Sequence, residues 1–177
     1  AGIKLNAKGG IQVNDHFQTS NPNVYAVGDV VGEAMFAHAA SREAHLALEN
    51  MLGGKKLARD INLIHWTVFT DPPISGVGLS EAQAKERGID FGISKANFAR
   101  AAKTRIMEDS VGIAKVLFNR KNRHIIGATL FGAHSDDLIH EITAIMNSSS
   151  PTLDVLKQTI HVHPTVSEVF DALKEAS

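Results

Sequence analysis

The amino-acid sequence predicts an α+β fold, an antiparallel sheet flanked by helices, preceded by the tail of an α/β domain. One observation is a succession of strand-like segments with helices only at its edges, at residues 91–98, 112–119 and 124–131. The other is a polar, charged connector at residues 55–60, where the character of the sequence changes. We therefore predict two domains, residues 1–60 and residues 61–177.

The first portion is predicted to contain short strands and one helix. Two strands flank a turn at Lys8-Gly9-Gly10, and an apolar strand at residues 24–27 stops at Gly28-Asp29. Apolar residues spaced three and four apart predict a helix over residues 33–52, which Gly53-Gly54 ends. No strand–glycine loop–helix unit opens this portion, so we expect the beginning of its domain to lie upstream.

The second portion is predicted to begin with a strand at residues 64–70. Ser80 is the expected N-cap of a short helix, with Gln83 at the capping-box position. The polar residues 120–123 join the last two strands as a hairpin. Three further helices are predicted, over residues 135–146, 152–158 and 169–174.

The composition excludes several classes of function. The chain has 18 basic and 19 acidic residues and no run of Lys and Arg, so we expect no nucleic-acid binding. Its apolar runs are shorter than the roughly 20 residues of a membrane span, and no signal peptide opens it. We therefore expect a cytoplasmic protein that binds no membrane. Cysteine is absent, which removes disulfides, thiolate metal sites and a cysteine nucleophile from this chain.

A predicted strand that ends in Gly28-Asp29 delivers a carboxylate a few residues ahead of a helix. Such a carboxylate accepts hydrogen bonds from sugar-like hydroxyls, and a helix N-terminus offers N–H groups to a phosphate or an electron-rich ring. Gly28 lets a ligand approach the backbone closely. For a Gly-Asp pair alone, the simpler interpretation is that Asp29 caps the helix or closes a turn.

The most informative stretch covers residues 160–168 and has the sequence I-H-V-H-P-T-V-S-E. A histidine titrates near neutrality, and a glutamate five residues later can return to its second ring nitrogen and stabilise the imidazolium. Pro164 fixes the local backbone, and a cis His-Pro bond is compatible with a tight turn. His161 and His163 can instead pack, or share one face as metal ligands. Glu168 is the one further ligand nearby, so we expect no metal.

These stretches resemble motifs of the pyridine nucleotide-disulfide oxidoreductases. Residues 19–29 resemble that family's second flavin-binding motif, T-x-x-P-x-[IV]-[YF]-A-[IV]-G-D, which precedes a helix beneath the flavin ring. Residues 161–168 resemble its C-terminal H-x-H-P-T-x-x-E motif. Residues 68–82 resemble its F-T-x-P-E-[IV]-A-x-V-G-L-[ST]-E segment, with Pro73 where Glu is common. The resemblance spans nearly the whole chain in collinear order and is strongest to the dihydrolipoamide dehydrogenases.

The resemblance implies that residues 1–60 are the end of an FAD-binding domain, and that the parent enzyme uses FAD and NAD(P). It assigns Gly28 and Asp29 to the flavin's ribityl chain. Near the flavin ring it places the residues at the start of the helix, Met35, Phe36, Ala37 and His38. His38 is equally compatible with a packing role. The family's Gly-rich FAD loop, cysteine pair and NAD(P) domain have no counterpart here. We therefore expect this chain alone to be inactive and not to retain FAD.

The resemblance also implies roles for the C-terminal stretch. His163 corresponds to the catalytic acid/base of dithiol–disulfide exchange and Glu168 to its partner, whereas His161 has no comparable catalytic role. The substrate would be a small dithiol or disulfide, or a lipoyl domain. The family places this histidine in the active site of the partner subunit, which implies a homodimer through residues 61–177, the dimerisation domain.

Two alternatives stay open. The first alternative, within the enzyme class, is a fragment of a glutathione reductase-like or uncharacterised disulfide reductase. It stays open because the H-x-H-P-T sequence favours a lipoamide substrate only modestly. Outside that class, the chain is a non-catalytic dimerisation module that self-associates without flavin. A start at Ala1-Gly2-Ile3, without Met and inside a domain, counts against the module.

Overall fold

The computed structural model describes residues 2–53, 58 and 60–175. The chain divides into two compact units, Ala1–Ile64 and His65–Ser177. The predicted connector at residues 55–60 falls mostly outside the described residues, as does Gly54 of the predicted helix stop. The domain boundary expected after residue 60 stays a prediction.

The first unit has one long helix, α1, over Ala37–Met51. It begins four residues later than the apolar spacing indicated, because residues 33–36 have not yet entered the helix and the N-cap, Phe36, is extended. Phe17 is fully buried against Leu46 and Ala47 of α1. Gly53, just after the helix, has a positive φ of 77°, as expected of a glycine at a helix end.

The strands predicted in the first unit are wrong. The described residues before α1 contain isolated bridges, Leu5 with Ile11 and Gln18 with Tyr25, and no continuous strand. The physical reason is local, because the Oδ1 atoms of Asn6 and Asn14 each accept hydrogen bonds from two nearby backbone N–H groups. Such side-chain bonds fold the backbone into turns in competition with a sheet. After residue 27 the chain enters a 3-10 helix, Gly28–Val31.

The second unit is built on a six-stranded sheet in the order β1-β2-β5-β4-β3-β6, with every neighbouring pair antiparallel. The strands are β1 Trp66–Val68, β2 Ile74–Gly78, β3 Phe91–Asn97, β4 Gly112–Asn119, β5 Ile125–Gly132 and β6 Lys174–Glu175. The helices are α2 Glu81–Glu86, α3 Ala102–Ile106, α4 Ser135–Met146 and α5 Leu153–Gln158. The predicted α+β fold with a helix-flanked antiparallel sheet is confirmed.

Strand β2 was absent from the sequence prediction. Its sequence, I-S-G-V-G, has two glycines that weaken the strand signal. Gly76 is nevertheless needed inside the strand, because a Cβ there would lie 2.5 Å from the ring of Trp66 on β1. The glycine therefore marks a close approach between neighbouring strands. The short helix α3 was also not predicted.

The final helix predicted over residues 169–174 is wrong. The structure has a 3-10 helix at Val166–Val169, a turn, and then β6, which pairs with β3. The guanidinium of Arg123 holds this end of the chain, because it lies 2.8 Å from a carboxylate oxygen of Glu175 and bonds Asp154 as well. An ion pair across 52 residues has no local sequence signal.

The helices cover the sheet with a single apolar core. Helix α4 coincides with its predicted range, and α2 has the predicted capping box between Ser80 and Gln83. Side chains that are fully buried in this core include Phe98, Phe118, Ile139, Leu153 and Phe170. Within the part of the chain that the structure describes, no helix is both long and apolar enough to cross a membrane.

Candidate functional site

The segment that carries His163 is a tight turn leading into the 3-10 helix Val166–Val169. The peptide bond between His163 and Pro164 is cis, the isomer that the sequence left open. Thr165 caps the following helix in a reciprocal box, because the backbone N–H of Thr165 donates to Oε2 of Glu168 over 2.9 Å. The hydroxyl of Thr165 donates back to the carbonyl of Val162 over 2.6 Å. Glu168 is thereby fixed on the side of the turn that faces His163.

His163 and Glu168 form the pair that the sequence predicted. Nδ1 of His163 lies 2.7 Å from Oε1 of Glu168. The imidazole is 71% exposed, whereas the carboxylate is largely covered. The hydrogen bond from His163, with a second from the Thr165 backbone, lowers the pKa of Glu168 below its usual value. Glu168 therefore stays an anion that accepts the Nδ1 proton.

This arrangement fixes which ring nitrogen is available for chemistry. Because Nδ1 donates to a carboxylate, a neutral His163 carries its proton there and presents a lone pair at Nε2. No described residue hydrogen-bonds Nε2. An exposed imidazole oriented by a carboxylate is the geometry of a general base that becomes a general acid after one proton transfer.

His161 has a different environment from its neighbour. Its side chain is only 4% exposed, and both ring nitrogens contact carboxylates: Nδ1 lies 2.7 Å from Asp171 and Nε2 lies 2.8 Å from Glu141. The sequence analysis gave this residue no comparable catalytic role and did not identify either carboxylate. Glu141 lies on α4, 20 residues before His161, so no motif indicated the contact. The described residues contain no cluster of three or more potential ligands suited to a metal ion.

In the first unit, Gly28 and Asp29 open the 3-10 helix before α1. Gly28 has a positive φ of 72°, and a Cβ there would lie 3.0 Å from that of Ala40. Glu43, only 4% exposed on α1, accepts the Gly28 N–H at Oε2 over 2.8 Å. Sequence reasoning missed Glu43, which lies one helical turn beyond the expected flavin-facing residues. A charged residue on the buried face of an amphipathic helix was the available signal.

The other residues predicted to surround the flavin lie together on the surface of this unit. Asp29 is exposed and does not cap α1, whose N-cap is Phe36 and lacks a side-chain cap. The rings of Phe36 and His38 stack with centroids 5.4 Å apart. All four residues at the helix start are exposed: Met35, Phe36, Ala37 and His38.

Comparison with known proteins gives two family matches. The profile of the pyridine nucleotide-disulphide oxidoreductase dimerisation domain matches residues 64–174. A second profile, described as pyridine nucleotide-disulphide oxidoreductase, matches residues 1–44.

Curated relatives include the mitochondrial dihydrolipoyl dehydrogenase of Mus musculus, 37% identical over 169 residues, covering 96% of this chain and 33% of the relative. The dihydrolipoyl dehydrogenase of Buchnera aphidicola subsp. Schizaphis graminum is 36% identical over 174 residues, covering 98% of this chain and 36% of the relative. The chain thus spans about a third of the length of these relatives. Among solved structures, the HOCl-induced flavoprotein disulfide reductase RclA of Escherichia coli aligns with a TM-score of 0.85 at 30% identity, covering 98% of this chain and 40% of that one.

Proposed function

Because the chain belongs to the pyridine nucleotide-disulphide oxidoreductase family, we propose that it is part of a flavin-dependent NAD(P)H:disulfide oxidoreductase. The observation that carries the proposal is the 2.7 Å hydrogen bond between His163 and Glu168 at an exposed position. The relatives at 36% and 37% identity favour dihydrolipoyl dehydrogenase among the activities of the family. The substrate is then a small dithiol or a lipoyl group.

The role of His163 follows from the needs of thiol–disulfide exchange. A thiolate is the attacking species, so a thiol must lose its proton before it attacks a disulfide sulfur. Nε2 of His163 takes that proton, and the resulting imidazolium is stabilised by Glu168 through Nδ1. In the reverse direction the imidazolium returns the proton to the thiolate that leaves. The cysteine pair belongs to the parent enzyme, since this chain has no cysteine.

The surface of the first unit fits FAD as the cofactor of the parent enzyme. The exposed carboxylate of Asp29 suits the hydroxyls of a ribityl chain, and the exposed apolar side chains of Met35 and Phe36 suit a planar ring. The N-cap residue of α1, Phe36, makes no side-chain cap hydrogen bond, and a helix N-terminus favours an anionic group. FAD, when bound, supplies electron transfer between NAD(P)H and the cysteine pair. Gly28, held by Glu43, fixes the backbone that presents Asp29.

Exposed apolar side chains of the second unit support a homodimer. Large apolar side chains are exposed on β1 and just after it, at Val68 and Phe69, and on either side of His161, at Ile160 and Val162. Ile160 is 96% exposed, which is costly for an isolated chain and typical of a residue that a partner covers. Val162 directly precedes His163 in the chain, which supports a site completed by two subunits.

Substitution of the proposed acid/base tests the function. In the complete enzyme, His163→Gln should lower turnover of reduced lipoamide by roughly 10²–10⁴-fold, the usual contribution of a general acid–base group. The flavin spectrum should be unchanged, because the substitution leaves the first unit intact. The matched control is His124→Gln, which replaces an exposed histidine at the β4–β5 hairpin and should keep normal turnover.

Substrate preference separates the leading candidate from its alternatives. Reduced lipoamide and glutathione disulfide should be compared with the same preparation, and the proposal expects the lipoyl substrate to be preferred. Turnover of glutathione disulfide instead would favour a glutathione reductase-like enzyme. Near-normal activity of His163→Gln would contradict the proposed role of the histidine.

A further inference from the structure

His161 makes contacts that a neutral histidine cannot satisfy. A neutral imidazole has one N–H donor and one lone pair, and a carboxylate only accepts hydrogen bonds. Yet Asp171 lies 2.7 Å from Nδ1 and Glu141 lies 2.8 Å from Nε2. In the neutral ring, one carboxylate would face a lone pair at hydrogen-bonding distance. With both carboxylates ionised, both contacts are favourable only in the imidazolium form.

The balance of burial and charge supports this form. Burial alone would lower the pKa of His161, but the hydrogen bonds to Glu141 and Asp171 outweigh burial and raise it above its usual value. The ring of Phe170 lies 5.9 Å away, centroid to centroid, and Glu168 is the third carboxylate in the neighbourhood. The charged groups that face His161 from α4, from the 3-10 helix and from the turn after it are therefore all acidic.

The same contacts connect His161 to the catalytic pair. Asp171 donates its backbone N–H to the carbonyl of Glu168 over 3.2 Å, and Glu168 in turn bonds His163. His161 itself precedes His163 by two residues. The buried ring thus joins the strand-like segment before His163 to the turn after Glu168, and Glu141 ties both to α4. A displacement at His161 would be transmitted to both members of the pair.

We propose that His161 is a positioning residue: held as an imidazolium between Glu141 and Asp171, it fixes the segment that carries His163 and Glu168. Its effect on the reaction rests on the proposed function, whereas its charge state does not. Because it does not reach substrate, its replacement should disturb the geometry of proton transfer and leave the acid/base itself in place.

The charge state is tested by nitrogen NMR of the complete enzyme labelled with ¹⁵N-histidine. The His161 signals are assigned by their loss in His161→Gln. Over a pH titration, His161 should keep protons on both ring nitrogens to a higher pH than an ordinary histidine, whose pKa is about 6.5. In Glu141→Gln/Asp171→Asn the ring should lose its second proton at a lower pH than in the unmodified enzyme, because the two carboxylates no longer offset burial. A His161 ring that loses its second proton at or below the pH at which an ordinary histidine does, in the unmodified enzyme, would overturn the proposal.

The positioning role is tested by kinetics of the folded His161→Gln enzyme. Turnover should fall by roughly 10- to 100-fold, the cost of a misplacement of about 1 Å, and less than in His163→Gln. The pH dependence of kcat should also shift, because the Glu168 carboxylate no longer holds His163 in one orientation. A merely structural role would lower the melting temperature while leaving kcat and its pH profile unchanged, and that result would refute positioning.

The two proposals fail in different ways. If His163→Gln retains normal turnover, the proposed function fails, but the NMR result on His161 still stands. If His163→Gln loses turnover while folded His161→Gln keeps normal kcat and pH profile, the function stands and the positioning role fails.

Discussion

The two predicted sites of this chain differ in how far the structure assembles them. In the second unit, His163 and Glu168 lie five residues apart and meet at 2.7 Å, so the turn itself completes the pair. In the first unit, Asp29, Phe36 and His38 are exposed, and the rings of Phe36 and His38 stack. The difference indicates that the predicted acid/base pair is formed within this chain, whereas the predicted flavin site would need structure from the rest of a longer protein, since the chain spans about a third of its curated relatives.

The sites also share a feature that the sequence did not disclose. Each site has a polar side chain that is only 4% exposed next to the predicted residues. In the first unit it is Glu43, which accepts the Gly28 N–H, and in the second it is His161, which lies between two carboxylates and two residues before His163. A buried charge is tolerated only with partners, and each here bonds the backbone or a carboxylate of the segment that it supports. In both units, then, buried polar side chains hold the segments that carry the predicted site residues.

The largest expected effect outside His163 itself comes from its partner. Glu168→Ala removes the acceptor for Nδ1 of His163 and for the Thr165 N–H together. In the complete enzyme, turnover should fall by roughly 10²-fold, because an unoriented base samples unproductive positions. Steady-state assays with reduced lipoamide measure the effect. Glu168→Gln is the matched variant, since it keeps an acceptor while losing the charge, and it should retain more activity than the alanine enzyme.

The second-largest effect is expected on flavin retention, from a substitution of Asp29 in the first unit. Asp29→Ala should weaken flavin retention in the complete enzyme by roughly 10- to 100-fold, the value of a hydrogen bond to a charged group. Flavin released on dilution, followed by fluorescence, measures the loss. Asp15→Ala, an exposed aspartate in the preceding turns, serves as the control and should release no additional flavin. Full flavin occupancy in Asp29→Ala would break the assignment of Asp29.

Substitution of Glu43 tests whether its hydrogen bond with the Gly28 N–H stabilises the first unit and supports flavin retention. Glu43→Ala leaves the Gly28 N–H without its acceptor and should lower the free energy of unfolding by about 1–3 kcal/mol. Flavin retention should fall in parallel, because the Gly28-Asp29 backbone loses its support. Chemical denaturation and flavin fluorescence measure the two effects. Glu49→Ala, on the exposed face of the same helix, should change neither.

Features set by neighbouring residues were predictable from the sequence. The hairpin between β4 and β5, the capping box of α2 and the full range of α4 all follow from residues close together in the chain. The family resemblance, shown by the match over residues 64–174, depended on contiguous strings as well. The His163–Glu168 contact belongs to the same class, since one turn separates its members.

Features set by distant contacts were not predictable. Glycine is unfavourable within strands, so Gly76 did not indicate a strand in the sequence. Only the structure shows that the ring of Trp66 occupies the space beside it. The last helix was expected over residues 169–174, but a turn follows the 3-10 helix there, and Arg123 and the pairing with β3 hold Lys174–Glu175 as strand β6. The partners of His161 come from α4 and from the turn after residue 169. Only the folded chain brings these groups together.

The smallest expected effect is a difference in how the stability contributions of His161 and Glu168 depend on pH. The pKa of His161 is raised in the folded chain, so its contribution to stability is fully present below its ordinary pKa of about 6.5 and is lost as pH rises through the raised value. The pKa of Glu168 is lowered, so its contribution is present above about pH 4.3 and is lost as pH falls. Melting temperatures should therefore show His161→Gln differing most from wild type below neutrality and least in alkali. Glu168→Gln should differ most at neutral pH and least in acid. Identical pH trends for the two variants would mean that His161 is not held as a cation. The buried His161 and the exposed His163–Glu168 pair would then not differ in charge state as proposed.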